Sequence, residues 1–367
     1  MSTLFKDIYS EAFYETFSDT LENVLPSFNR EKFKNLIFIS EFDNYELKQR
    51  MLHTAQTLHH FLPEDFGSAS GLIVQIIQHL RGNGISEHNI EYMFFPEYIS
   101  MYGIDHYDDS VKAMEYITQF TSCEFAVRPF ILKYEEQMIQ QMLAWSKHEH
   151  HMVRRLASEG SRPRLPWGMG IPSLKKDPTP ILPILYQLKE DPTEIVRRSV
   201  ANNLNDIAKD HPDVVVSIAK TWKGGSKETD ALVKHACRTL LKQAHPEIMK
   251  LYGLDSSKLE TSSFTVITPR VKIGDHLEFS FNLRNTDNKS RLLRLEYGIH
   301  YLKKNGELSR KVFKISEREI EQGESLGISR KQSFKPITTR VFYPGRHRVS
   351  IIVNGTEMDI ADFELYD

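Results

Sequence analysis

Hydrophobic residues recur at helical spacing through residues 1–253 of the chain. In the run ELKQRMLHTAQTLHHFLP, apolar residues return every three or four positions, and Pro63 closes the run. The apolar face of this run consists of Leu47, Met51, Ala55, Leu58 and Leu62. The runs GLIVQIIQHL and VKAMEYITQF show the same pattern over shorter lengths. Residues 1–253 are therefore predicted to form a domain of short amphipathic helices.

A valine followed by a basic residue opens a helix-like run four times, at Val127, Val153, Val196 and Val233. The spacings are 26, 43 and 37 residues. Periods near ~40 residues are typical of two-helix HEAT-like repeats. The first spacing is short, so we expect an irregular array of such repeats.

The third copy, residues 191–222, predicts one complete helix pair. We expect Asp191 to cap the first helix and Pro192 to occupy its first turn, and we expect Pro212 to begin the second helix. The buried stripe of the first helix would be Val196, Val200, Leu204 and Ile207. Stacked pairs of this kind form an α-α superhelix with a concave binding surface.

The period of the hydrophobic pattern changes from helical to two after a polar segment, LDSSKLETS, which we interpret as a linker over residues 254–262. Apolar residues then alternate with polar ones around residues 277–283, 293–301 and 349–353. Asn305-Gly306 and Asn354-Gly355 are hairpin-turn signals. Residues 263–367 are therefore predicted to form an Ig-like β-sandwich that lacks the inter-sheet disulfide.

The net charge of −2 conceals an asymmetry along the chain. Residues 1–150 carry a net charge of −11, whereas residues 151–250 carry +6 and residues 263–367 carry +4. A polyanion would be repelled by the first segment and attracted to the other two, and double-stranded DNA is such a polyanion. Chance variation of surface charge is the alternative explanation.

The remaining global features predict a cytoplasmic protein with no membrane span. The two cysteines, Cys123 and Cys237, lie in helix-like apolar patterns, which favours buried thiols in a reducing compartment. The chain has no run of 18 apolar residues, and the acidic N-terminal segment does not have the basic start of a signal peptide. Nothing in the sequence demands more than a monomer.

Three segments carry a resemblance to a known enzyme family. CEFAVRPF (123–130), MVRRLASEGSRPRLPWG (152–168) and DPTEIVRRSVANNLNDIAKDHP (191–212) together resemble the AlkC branch of the AlkC/AlkD alkylbase DNA glycosylases. Helical repeats followed by an Ig-like domain match the form of AlkC that carries this extra domain. The resemblance implies a monofunctional base-excision repair enzyme that hydrolyses the N-glycosidic bond of 3-methyladenine and 3-methylcytosine, with 1-methyladenine as a third candidate.

By position in those motifs, the resemblance implies an active site formed by Glu124, Glu159, Trp167 and Asp206. Carboxylates near a cationic base and an oxocarbenium-like sugar would stabilise the transition state and orient the attacking water. A Trp face can hold a cation or a deoxyribose C–H edge. This chemistry requires no cofactor. We expect no metal site, because the histidine-rich run 148–151 is followed by Met152 and does not form HExxH.

Each of these four residues also has an ordinary structural explanation. Glu124 and Arg128 are spaced for an ion pair along a helix, and so are Arg155 and Glu159. Asp206 could lie on an exposed face of the repeat, and Trp167 could be a core aromatic residue that fixes a turn.

Basic residues on the repeats and the sandwich are candidate DNA contacts. They are Arg154, Arg155, Arg162, Arg164, Arg197, Arg198, Lys234, Arg238, Arg346 and Arg348. The alternative function is a non-enzymatic HEAT-like scaffold that binds damaged DNA or a protein partner. Only the glycosylase requires the three carboxylates and the Trp to converge on one patch.

Overall fold

The computed structural model describes residues 4–86, 89–337 and 340–367. It confirms a helical region followed by a β-sandwich. The chain divides into two compact units. The first contains the residues up to Val215 together with Trp222–Ala236, and the second contains Val216–Thr221 together with Cys237–Asp367. Within the described ranges, no helix is long and apolar enough to cross a membrane.

The helices are short, as the sequence predicts. They are α1 Glu11–Val24, α2 Arg30–Ile37, α3 Leu47–His59, α4 Phe66–Gly82, α5 Phe94–Tyr102, α6 Tyr107–Ile117, α7 Val127–Trp145, α8 His151–Gly160, α9 Pro172–Lys176, α10 Leu182–Leu188, α11 Glu194–Ile207, α12 Pro212–Trp222, α13 Lys227–Ala236, α14 Arg238–Lys242 and α15 Pro246–Leu251. Helix α7 is kinked at Glu135, whose φ of 40° is not helical.

The predicted buried stripes are confirmed. All four stripe residues of α11 are at most 1% exposed, and Met51, Ala55, Leu58 and Leu62 on and after α3 are buried. Pro212 begins α12 as expected. The predicted cap of α11 is wrong: the N-cap is Thr193, and the Asp191 carboxylate instead accepts hydrogen bonds from the Thr193 amide and the Arg154 guanidinium.

The strands form two sheets. They are β1 Leu259–Val266, β2 Arg270–Lys272, β3 His276–Asn285, β4 Arg291–Leu302, β5 Leu308–Ile320, β6 Ser325–Ser333, β7 Gly345–Val353 and β8 Thr356–Tyr366. One sheet has the order β1-β3-β6 and the other β2-β8-β7-β4-β5. All pairings are antiparallel except that of β2 with β8. The apolar residues predicted on β3, β4 and β7 all point into the sandwich core.

Both predicted hairpin turns are present. Asn354 and Gly355 have φ values of 47° and 80° and join β7 to β8, as a tight turn with two left-handed residues requires. Gly306 has a φ of 83° between β4 and β5. The two cysteine side chains are buried, as expected.

The predicted linker 254–262 is not a free connection. Strand β1 begins at Leu259, so the second half of this segment is a strand. In the first half, the Asp255 carbonyl accepts a hydrogen bond from the Asn354 side chain, and the Asp255 carboxylate pairs with Arg291 at 2.7 Å. In the compact units, α14, α15 and Val216–Thr221 of α12 group with the sandwich.

Candidate active site

The end of helix α8 carries the first of the three predicted carboxylates. The side chain of His150 accepts a hydrogen bond from the Met152 amide and caps α8 at its start. At the other end, Glu159 is 6% exposed. Its carboxylate accepts hydrogen bonds from Arg162 Nη1 and from Ser199 Oγ, each at 2.6 Å. The Glu159 carboxylate is therefore fixed in direction by α11 and by the turn that follows α8.

The last turn of α11 carries the second carboxylate. Asp206 is 1% exposed and accepts hydrogen bonds from Arg162 Nε at 2.8 Å and from Lys209 Nζ at 2.9 Å. The Arg162 guanidinium thus joins Asp206 to Glu159. Burial lowers the pKa of Arg162, but the two carboxylates outweigh burial and the net direction is upward. Arg162 therefore stays a cation between them.

Glu124 lies just before α7 and is joined to α8 by a different arginine. Its Oε2 is 2.8 Å from Arg155 Nη2 and accepts a hydrogen bond from Ser122 Oγ at 2.9 Å. Arg155 Nη1 also donates to Ser122 Oγ at 3.2 Å. Both Glu124 and Arg155 keep about one sixth of their side-chain surface exposed, at 16% and 17%. Glu124 is the most accessible of the three carboxylates.

Arg128, on the first turn of α7, connects these groups. It is fully buried, and its pKa is lowered to about 10, chiefly by burial and by the nearby Arg162 charge. The carboxylates of Asp206, Glu124 and Glu159 oppose that shift. The contacts that join the three carboxylates come from the α8 segment, where Arg162 bonds to both Glu159 and Asp206, and Arg155, one turn before Glu159, pairs with Glu124. The structure therefore brings the three predicted carboxylates into one cluster.

Trp167 lies on the segment that follows α8. Its side chain is 69% exposed, and its backbone is left-handed with a φ of 63°. Lys48 Nζ donates to the Trp167 carbonyl. Trp167 lines a cleft of about 240 Å³ together with Phe125 and Met169. None of the three carboxylates lines this cleft. The cleft is connected to their segments through Phe125, which follows Glu124 in the chain, and through Arg128, which donates to the carbonyls of Met169 and of Gly160.

The ordinary explanations for the four residues are wrong. Arg128 donates to main-chain carbonyls rather than forming a helix-surface pair with Glu124, and Glu159 pairs with Arg162 rather than with Arg155. Asp206 is buried because α11 packs against α8 and α13, so its face is not open to solvent. Trp167 is exposed rather than a core residue.

The structure changes the interpretation of several basic residues. The Arg162 guanidinium donates hydrogen bonds to two buried carboxylates, those of Glu159 and Asp206, so we no longer assign it a contact with phosphate. Four other guanidinium groups also have partners within the protein: Arg154 pairs with Asp191, Arg155 with Glu124, Arg164 with Asp210, and Arg197 donates to the carbonyls of Asp191 and Pro192.

The other predicted DNA contacts differ in exposure and position. Arg198 is exposed and lines a groove of about 370 Å³ between α11 and α13, with Arg197 and Lys227. Lys234 is exposed, and Arg238 is half-buried. Arg346 and Arg348 lie within strand β7, and both pair with Asp362 of β8.

Sequence reasoning gave Arg155 and Arg162 a different role and missed the other residues that hold the carboxylates. Ser199 and Lys209 are ordinary polar residues of a repeat helix, and nothing in the sequence marks them. Arg128 carries a signal, because it is the one charge in the apolar run FAVRPFIL. A charge in such a run is a candidate for burial with a specific partner. Among the described residues, no three His, Cys, Asp or Glu side chains are grouped so that they could hold a metal ion.

The fold and the site therefore define a protein of helical repeats that carry a cluster of arginine-paired carboxylates and are followed by an Ig-like sandwich, and both parts of the chain match known families. Residues 104–245 match the family described as DNA alkylation repair enzyme. Residues 260–367 match the family described as the C-terminal Ig-like domain of the uncharacterised protein YhaZ.

Two relatives match along essentially their whole length. The uncharacterised protein YhaZ of Bacillus subtilis (strain 168) is 40% identical over 361 residues, which cover 98% of this chain and 99% of the relative. The structure of the Pseudomonas fluorescens alkylpurine DNA glycosylase AlkC, bound to DNA containing an abasic site analog, is similar with a TM-score of 0.92. It is 33% identical, and the match covers 100% of both chains. The chain belongs to the AlkC family.

Proposed function

We propose that this protein is a monofunctional DNA glycosylase that removes cationic alkylated bases from double-stranded DNA. Its substrates are 3-methyladenine and 3-methylcytosine, with 1-methyladenine as a third, and it initiates base excision repair. A ring-alkylated cationic base is already a good leaving group. The protein therefore has to stabilise a positively charged sugar and supply water, rather than activate the base.

The observation that carries this proposal is that Arg162 joins Glu159 to Asp206, while Arg155 of the same helix α8 pairs with Glu124. Fixed carboxylates aimed at a developing oxocarbenium ion lower the barrier without reorganising during the reaction. Glu124 keeps the most exposed carboxylate of the three and is the one we assign to the attacking water. The exposed Trp167 face would contact the sugar or the cationic base.

The arginine pairing also suits a substrate that is itself anionic. Three unpaired carboxylates would repel the phosphates on both sides of the lesion. Arg155 and Arg162 offset the net charge that the more distant phosphates experience, whereas a sugar in contact with a carboxylate still experiences the nearer negative charge. A duplex can then approach the cluster without a large electrostatic penalty. The scaffold alternative offers no reason for several buried carboxylates to be held at one place.

We further propose that DNA contacts come from both units. The relative AlkC is bound to DNA. In this chain, Arg198 and Lys227 along the groove between α11 and α13 are suited to phosphate contact. On the sandwich, Arg346 keeps 72% of its side chain exposed despite its pair with Asp362, so it can exchange that partner for a phosphate. We propose that the protein acts as a monomer in the cytoplasm.

The test of this function is base release from methylated DNA. Duplex DNA treated with a methylating agent is incubated with the protein, and the released bases are identified by mass spectrometry. We expect 3-methyladenine in excess over 7-methylguanine, with the same yield in the presence of a chelator. No released base of any kind would refute the enzyme and favour the scaffold. Release that disappears with the chelator would refute the metal-free reaction.

A further inference from the structure

Arg128 is a buried cation that donates hydrogen bonds to two different segments of the site. Its Nη1 donates to the Gly160 carbonyl at 2.9 Å, and its Nε donates to the Met169 carbonyl at 2.5 Å. Its Nη2 is buried and has no hydrogen-bond partner among the described residues. The side chain has no exposed surface, so it cannot touch a DNA substrate.

The two carbonyls belong to the two segments that carry the predicted catalytic groups. Gly160 directly follows Glu159 at the end of α8, and Met169 lies two residues after Trp167. A Cβ atom on Gly160 would lie 2.5 Å from a Val127 methyl group, so the end of α8 packs directly on the first turn of α7. Arg128 thus extends from α7 to both segments and links them.

The Trp167 segment needs such a link. Trp167 is largely exposed, and its left-handed backbone is unfavourable for a side chain of this size. Packing of the indole ring therefore contributes little to holding it in place. The described hydrogen bonds to this segment from elsewhere in the protein include those from Lys48 to the Trp167 carbonyl and from Arg128 to the Met169 carbonyl.

The charge of Arg128 is also informative. A buried guanidinium that pairs only with carbonyls is costly, and an apolar side chain of similar shape would fill the space at lower cost. Burial and the nearby Arg162 charge lower the pKa of Arg128, and the charges of Asp206, Glu124 and Glu159 offset part of that shift. Arg128 therefore depends on the same carboxylates whose surroundings it organises.

We propose that Arg128 is a positioning residue for base excision: its planar guanidinium fixes the Trp167 segment relative to Glu159, so that the indole face and the carboxylates act on one sugar. The assignment rests on the proposed glycosylase function. A lysine would keep the charge, but its single ammonium cannot reproduce the geometry of a guanidinium that donates through Nε and Nη1 to two separate carbonyls.

The experiment compares Arg128→Lys with a matched control, Arg50→Lys. Arg50 is also buried and also donates to carbonyls, those of Tyr45, Lys6 and Tyr9, but it does not itself line the Trp167 cleft. Urea unfolding first establishes that both variants are folded at the assay temperature. Single-turnover excision and acrylamide quenching of tryptophan fluorescence are then measured on each. Trp145 and Trp222 are buried, so quenching reports mainly on Trp167.

We expect Arg128→Lys to slow excision by ~10²-fold, the loss that a displacement of about 1 Å from productive geometry can cause. Its Trp167 quenching should change without DNA, and subtraction of the matching Trp167→Phe protein assigns the change to this residue. Arg50→Lys should lose stability but keep both the wild-type rate and the wild-type quenching.

Three outcomes would overturn the assignment. They are a wild-type rate in folded Arg128→Lys, quenching that does not differ from the wild type, and an equal loss of rate in Arg50→Lys. A wild-type protein that excises nothing would refute the proposed function instead. In that case the quenching comparison, which needs no DNA and no activity, would still decide whether Arg128 fixes the Trp167 segment.

Discussion

Replacement of Arg162 by methionine is the most informative single perturbation of the site. Methionine keeps the apolar stem but removes the guanidinium that lies between Glu159 and Asp206. The side chains of the three residues are 7%, 8% and 2% exposed, so water cannot replace the lost hydrogen bonds without a rearrangement. The two buried carboxylates then lose the cation between them: Glu159 keeps its hydrogen bond from Ser199, and Asp206 keeps its pair with Lys209.

The loss of folding free energy caused by Arg162→Met can be obtained in two ways that agree. Removing one partner of a buried ion pair typically costs about 3–5 kcal/mol. Alternatively, the variant can protonate one carboxylate, which at pH 7 costs about 1.4 kcal/mol for each of roughly three pH units, or ~4 kcal/mol. For a unit of this size, that corresponds to a melting temperature lowered by ~8–16 °C.

Protonation of one buried carboxylate would make the stability of Arg162→Met depend on pH. The folded variant then binds a proton that the unfolded chain does not bind at neutral pH, so its stability is greater at low pH and declines as the pH rises. The stability difference from the wild type should therefore shrink between pH 8 and pH 5. The excision rate of the variant should be lower than that of the wild type across this range, because a protonated carboxyl carries no negative charge to stabilise the sugar cation.

The assay is urea unfolding and single-turnover excision at pH 5, 6.5 and 8 for the wild type, Arg162→Met and the control Arg294→Met. Arg294 is a buried arginine of the sandwich that also joins two glutamates, Glu296 and Glu317. The control should lose stability and retain the excision rate. The reasoning fails if Arg162→Met matches the wild type in stability and rate, or if its stability deficit does not depend on pH.

The other predictions concern catalysis and DNA binding. Asp206→Asn and Glu159→Gln should each slow excision by roughly 10²-fold or more, the scale for one lost electrostatic stabiliser, with DNA affinity nearly unchanged in binding isotherms. Trp167→Ala should impair both lesion discrimination and rate, and an unchanged preference for methylated over unmethylated duplex would contradict its contact with the lesion. Arg346→Gln should reduce the slope of log affinity against log salt by ~0.9, whereas Arg318→Gln, which removes a surface pair with Glu324, should not.

The fold could be predicted largely because the hydrophobic residues follow a helical period in the first part of the chain and a period of two in the second. The stripe of α11 and the alternation in β3, β4 and β7 each have one buried face, and the period alone identifies it. The boundary was harder to predict, because polar residues such as Asp255 and Asn354 hydrogen-bond to each other across a long sequence separation. By composition alone, residues 254–262 are polar and are typical of a linker.

The candidate site could be predicted only in part. The resemblance supplied the four residues, but the local spacing suggested surface pairs for Glu124 and Glu159 that do not form. The actual partners, Arg155 for Glu124 and Arg162 for Glu159 and Asp206, depend on how α8 and α11 pack. Arg162 shows why charge alone misleads. A basic residue in a DNA-binding repeat suggests a phosphate contact. Arg162 is instead buried between two carboxylates and holds both in position.

The most direct test of the account is strand cleavage at a single lesion. A duplex with one 3-methyladenine is incubated with excess protein under single-turnover conditions, and half of each sample is then heated in alkali to break abasic sites. We expect cleavage at the lesion by the wild type only after alkali, and ~10²-fold slower formation of the alkali-sensitive site with Asp206→Asn. An Asp206→Asn protein that binds the duplex and forms the abasic site at the wild-type rate would contradict catalysis by the carboxylate cluster.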